Sequence, residues 1–198
     1  MISQTPSETA SPEESAIDDP PFCTVLGRYG AAPQVARFGV SELLHADVRG
    51  KLVRGVEFVA ETDRGPELIT LLEIVRQEVI AEEKPVTGQM LRLASDDDRK
   101  GHRENRQKAD VEFFDWQQRL ADWQLQLQLI DLEWTLDQQQ IILYVLNGQD
   151  AETTRLALLA AAAGLGIIHV QPVAAEGVIQ ATGGGGCGSG GCGSGGCG

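Results

Sequence analysis

The sequence predicts an α/β (α+β) fold: a small N-terminal β subdomain followed by an αββαβ split sandwich. Residues 21–86 break into short β-type runs separated by Gly and Pro turn signals. A capped polar stretch after Ser95 keeps one apolar helical face. Two strand-like runs, 127–137 and 141–146, follow it.

Residues 1–20 carry Glu8, Glu13, Glu14, Asp18 and Asp19 and neither Lys nor Arg. With few large apolar groups, this acidic segment cannot offset the entropy of ordering, and disorder is expected. Next, Phe22-Cys23-Thr24-Val25-Leu26-Gly27 and Gln34-Val35-Ala36-Arg37-Phe38-Gly39 flank the turn signal Gly30-Ala31-Ala32-Pro33. Residues 52–61 alternate in part, placing Val56, Phe58 and Ala60 on one face. Thr62-Asp63-Arg64-Gly65 reads as a turn, and the run 68–75 allows strand or helix by periodicity alone. A small barrel or curved sheet is the expectation for 21–86.

The αββαβ half is assigned to 87–173. Ser95 with Asp98 three residues on resembles a capping box. Asp96, Asp97 and Asp98 set negative charge where the helix dipole favours it. Gly101 weakens this first part by ~1 kcal/mol relative to Ala. Phe113, Trp116, Leu120 and Trp123 recur on one helical face, so a helix ending near 123–125 should pack on a sheet. Strands are expected at 127–136 and 140–147, and the apolar run 141–146 suits a central strand. Asn147-Gly148 turns the chain, Asp150 caps a helix to about 163, Gly164 and Gly166 end it, and 167–170 form a last strand. Residues 174–182 read as a linker, and 183–198 as a flexible Gly/Ser/Cys tail.

Composition narrows the function classes. The formal charge of −13 disfavours general binding of polyanions, because phosphate affinity scales with the cations offered. The same charge opposes an anionic membrane surface; neither membrane nor DNA is expected as a partner. No apolar run is long enough to span a bilayer, and residues 1–20 lack the pattern of a secretory signal. A cytoplasmic location is the resulting expectation, and free thiols in the tail agree with a reducing compartment.

Three blocks carry a family likeness. They are Gly65-Pro66-Glu67-Leu68-Ile69-Thr70-Leu71-Leu72, Arg92-Leu93-Ala94-Ser95 and Asp131-Leu132-Glu133-Trp134-Thr135-Leu136-Asp137. Over roughly 53–173 the chain resembles the polymerase-suppressor PSP-type C-terminal domain family, which includes the bacterial YaaT/RicT-like proteins. The resemblance implies a strand at 68–75 and a place in an RNA-processing or regulatory complex. The chain departs from the family at 166–173, where arginines are usual and none stands. The family's Cys-rich metal region is replaced by the simple repeat in the tail.

Candidate chemistry is sparse. Cys187, Cys192 and Cys197, spaced C-x4-C-x4-C, offer thiolates to a soft cation, zinc or iron in an iron–sulfur cluster. The tail is one ligand short of four, to be supplied by Cys23, a partner or a nonprotein ligand. Against this stand the missing C-x2-C pairs and the cost of ordering a floppy loop, ~1–2 kcal/mol per residue. Asp131 and Glu133 share a strand face about 7 Å apart; without a nearby base, a solvated face is the simpler reading. Arg99, Arg103 and Arg106 share a helix face by i, i+4, i+7 spacing and are the candidate partner-binding residues, for RNA or an acidic protein. Their neighbours Asp96–Asp98, Glu104 and Asp110 equally suit a balanced exposed face. His45, His102 and His169 are isolated, and no nucleotide loop or Ser/His/Asp grouping is legible.

The expectation is therefore a non-enzymatic adaptor with no catalytic residues and protein partners, RNA being reached through a complex. The alternatives are a metal- or redox-responsive protein acting through the Cys tail, and a direct RNA binder.

Overall fold

The computed structural model describes residues 22–75, 85–148, 150–175 and 177–179. The acidic segment 1–20 and the tail cysteines lie outside them. The fold is α+β, with two compact units. The first comprises residues up to 29 and 35–102; the second comprises 30–34 and residues from 103 onward.

The first unit is a closed barrel of β1 (Cys23–Tyr29), β2 (Gln34–Val40), β3 (Glu57–Thr62), β4 (Gly65–Val75) and β5 (Gly88–Leu93), in the order β1-β2-β5-β3-β4. β1 pairs with β4 and β3 with both β4 and β5, all antiparallel, while β2 runs parallel to β5 at Phe38–Gly88 and Gly39–Gln89. Inside sit Val25, Phe38, Val40, Phe58, Ala60, Ile69, Leu71 and Met90. A small barrel has little room, and Gly27 makes some: a Cβ there would lie 2.3 Å from Ile69 Cγ2 and 2.9 Å from Phe38 Cε2.

The barrel corrects the sequence reading in two places. A short helix, α1 (Glu42–Val48), stands where only strands were expected; Ser41 caps it by accepting from the Leu44 amide at 3.3 Å. β5, to which no strand was assigned, closes the barrel, so residues 88–93 belong with the strands before them and not with an αββαβ half starting at 87.

α2 (Asp96–Asp122) follows, its first residues to 102 grouped with the barrel and the rest with the second unit. The second unit holds the sheet β6 (Gln128–Trp134), β7 (Gln140–Leu146), β8 (Ile167–Ala174) and β9 (Gly177–Val178), in that order, with α3 (Asp150–Ala162) between β7 and β8. β7 is central, antiparallel to β6 and parallel to β8. Trp116 and Leu120 of α2 and Leu156 and Ala160 of α3 bury one sheet face with Leu129, Leu132, Ile141, Leu143 and Val145. Ile142, Tyr144 and Val173 form a smaller core on the other face with Ala31, Ala32, Leu146 and Val178. β7 is thus covered on both faces, as its unbroken apolar run requires.

Both longer helices stop the same way. Gln124 (φ 54°) and Gly164 (φ 71°) adopt the left-handed conformation just past the last turn. The bonds Gln124 N to Ala121 O and Leu125 N to Leu120 O are matched by Gly164 N to Ala161 O and Leu165 N to Ala160 O. Each pair is a Schellman closure, and Leu125 against Leu120 supplies its usual apolar contact. Two further corrections fall in this unit. A bulge at Ile130 shifts the β6 register, so Leu129 and Leu132 both face the core while Ile130 is 41% exposed. The last strand continues beyond 170 to Ala174 and pairs with β9, inside the stretch read as a linker.

Candidate partner-binding surface on the long helix

The start of α2 is built by a reciprocal cap. Asp98 N donates to Ser95 Oγ at 3.2 Å, and Ser95 N donates back to Asp98 Oδ2 at 2.8 Å. Arg92 clasps the same carboxylate with both terminal nitrogens, one bond being Nη2 to Oδ1 at 2.8 Å. The Arg92 guanidinium beside it, aided by the Ser95 amide and hydroxyl, outweighs burial and holds Asp98 well below the usual carboxylate range.

The candidate arginines have separate fates. Arg99 is taken up by Glu57 of β3 at 2.7 Å and by Asp96 at 3.0 Å. Arg106 reaches Asp131 of β6 at 2.8 Å, Asp110 at 2.9 Å and the Leu132 carbonyl at 3.3 Å. Burial pulls the Arg106 guanidinium down, but these carboxylates together with Glu133 more than offset it and leave it raised. Arg103 is exposed and makes no ion pair among the described residues. One of the three cations is therefore left to an outside partner.

Sequence reasoning missed what stands farther along α2. Val111 and Phe114 are 76% and 73% exposed, at i and i+3 on the outward face. Phe113 meets Phe114 edge-on at 5.9 Å and turns towards the core. Asp115 and Asp122 follow the apolar pair on the exposed surface. The signal was legible: both residues fall off the Phe113–Trp116–Leu120–Trp123 stripe.

Asp131 and Glu133 do not form a shared acid–base site. Asp131 is held by Arg106, whereas Glu133 accepts from the Tyr144 hydroxyl and from Ala31 N at 2.7 Å. Asp137 closes the β6–β7 hairpin, accepting from the Thr135 hydroxyl at 2.6 Å and Gln139 N at 3.1 Å. In the barrel, Arg64 and Glu67 are buried together: Nη2 lies 2.5 Å from Oε2, Thr62 donates to Oε1 at 2.7 Å, and the guanidinium carbon stands 5.0 Å from the centre of the Tyr29 ring. Nothing in the local pattern of Thr62-Asp63-Arg64-Gly65 marked that pair.

Among the described residues no group of three or more His, Cys, Asp or Glu could hold a metal. Cys23 packs against the barrel core, and burial pushes its thiol up. Cys187, Cys192 and Cys197 lie outside the described residues. No helix among the described residues is long and apolar enough to cross a membrane.

No curated protein and no solved structure matches the chain. Residues 88–150, from β5 to the start of α3, match the PSP1 C-terminal conserved region. The blocks at 92–95 and 131–137 lie inside that match, and the block at 65–72 lies outside it. Across residues 88–150, therefore, the chain is similar to the PSP1 C-terminal conserved region, and the rest of it is outside that likeness.

Proposed function

We propose that this protein is a cytoplasmic, non-enzymatic adaptor, a subunit of an RNA-processing or regulatory complex as the family resemblance implies. One observation supports the reading most: α2 presents Val111 and Phe114 to solvent beside exposed acidic side chains. Each exposed apolar group is ordinary alone, but a paired apolar face with a charged rim fits a docking site. Its complement is an apolar protein surface edged with Lys or Arg, drawn in by the negative field of the chain. Arg103, on the same helix, is the cation left to pair with an acidic group of such a partner.

The test is affinity capture from the native cytoplasm after nuclease treatment, with three forms of the full chain in parallel: unaltered, Val111→Ser/Phe114→Ser, and Arg103→Glu. The adaptor reading expects a defined partner set that the double variant loses and Arg103→Glu weakens. An identical set from all three would overturn docking on α2. A fourth form ending after residue 182 separates the reading in which tail thiols act: partners lost only there would assign the role to Cys187, Cys192 and Cys197.

A further inference from the structure

In the barrel unit, three exposed cations stand together in one loop. The loop between α1 and β3 reads Arg49-Gly50-Lys51-Leu52-Val53-Arg54-Gly55 and contains no acid. Arg49, Lys51 and Arg54 are exposed and make no ion pair among the described residues. Asp47 of α1 and Glu57 of β3 are the carboxylates nearest in sequence, and Glu57 is held by Arg99.

The loop is held in place. Val48 and Leu52 point into the barrel core, 5% and 9% exposed. Lys51 N bonds Val48 O at 2.8 Å and Val56 N bonds Val53 O at 3.0 Å, closing consecutive turns. Gly55 N then donates to Leu71 O of β4, and Leu71 N to Val56 O, both at 2.8 Å. Gly50 (φ 79°) and Gly55 (φ 88°) take the left-handed conformations these turns need, with open space around each. The cations therefore project from a fixed base, which lowers the entropy lost on binding.

An aromatic pair adjoins them. Phe22, 48% exposed, meets the His45 imidazole at 4.8 Å between ring centres. His45 lies one helical turn before Arg49, so pair and loop continue one another along α1. Cations beside an exposed aromatic platform are what single-stranded nucleic acid requires: phosphates for the cations, bases for stacking.

We propose that the 49–55 loop, with Phe22 and His45, binds single-stranded RNA. The surface is distinct from the protein-docking face of α2 and does not rest on it. A strand neutralised by three cations should bind with a salt slope of about −2, since each phosphate contributes about 0.7 for single strands. The chain's overall negative charge keeps the binding weak and confined to low salt.

The experiment is fluorescence anisotropy of the full chain with an oligouridine of about 12 nucleotides, from about 50 to about 200 mM salt. Variants are Arg49→Ala/Lys51→Ala/Arg54→Ala, Phe22→Ala, and, as control, Arg155→Ala on α3, with circular dichroism checking that each folds. The proposal expects about a 20-fold loss of affinity across that salt range. It expects about a 10-fold or greater loss in the triple variant, a several-fold loss in Phe22→Ala, and none in Arg155→Ala. Absence of binding by the unaltered chain, or equal binding by a folded triple variant, would overturn it. Binding to anionic vesicles without binding to the RNA would likewise overturn it and make the loop a membrane contact.

Discussion

Tyr144 of β7 donates its hydroxyl to Glu133 of the neighbouring strand β6, and the tyrosine is fully buried. The other oxygen of that carboxylate holds the amide of Ala31. Gly30 has to be a glycine beside this pair: at φ 81° a Cβ would stand 2.7 Å from the Tyr144 hydroxyl. Tyr144→Phe removes a hydrogen bond to a charged acceptor and should lower stability by roughly 1.5–3 kcal/mol. Urea unfolding of the two forms measures it, and unchanged midpoints would count against the bond.

Acid should act on the cap of α2. Asp98 is held below its ordinary value in the folded chain, so its contribution is present above the unfolded pKa of about 4. It is lost as the pH falls through the lower folded value. Asp98→Asn should therefore be less stable than the unaltered chain at neutral pH, with the gap narrowing below about pH 4. Urea midpoints across that window check the sign; a gap that widened in acid would contradict it.

Arg64 and Glu67 offer a cycle of variants. Arg64→Met strands a buried carboxylate and should cost about 3–5 kcal/mol, whereas Arg64→Met with Glu67→Met should recover most of that. Equal loss in single and double variants would mean that packing, not charge, dominates.

Two glycines should respond in opposite directions. A Cβ at Gly88 would lie 2.2 Å from the Glu61 carbonyl oxygen, at a point where β5 pairs with β3. Backbone cannot swing away as a side chain can, so Gly88→Ala should cost about 3 kcal/mol or more. Gly101 sits in α2 with nothing within 4 Å of its would-be Cβ, and Gly101→Ala should add about 0.5–1 kcal/mol. Thermal melts of both variants decide the matter.

What was legible in the sequence was local. Ser95 and Asp98 lie three residues apart, and the apolar face of α2 repeats with the helical period, so cap and face could be read directly. The central place of β7 followed from its unbroken run of apolar residues. β5 was not legible, because its partners β2 and β3 are distant in sequence and Gly88-Gln89-Met90-Leu91-Arg92-Leu93 has no clean alternation. α1 is only seven residues long, too short for periodicity to declare itself. The Ile130 bulge puts Leu129 and not Ile130 on the core face, while Leu132 and Trp134 keep the side that alternation gives them. Of the candidate site, spacing alone placed Arg99, Arg103 and Arg106 on one face; only tertiary structure showed that Glu57 and Asp131 occupy two of them.

β5 has a consequence for fragments of the chain. The conserved stretch 88–150 begins with the strand that closes the barrel and stops before β8, which flanks the central strand of the sheet. Excised at those borders, it would take a stave from one unit and leave β7 with a bare edge in the other. A fragment cut at 88 and 150 should therefore complete neither unit.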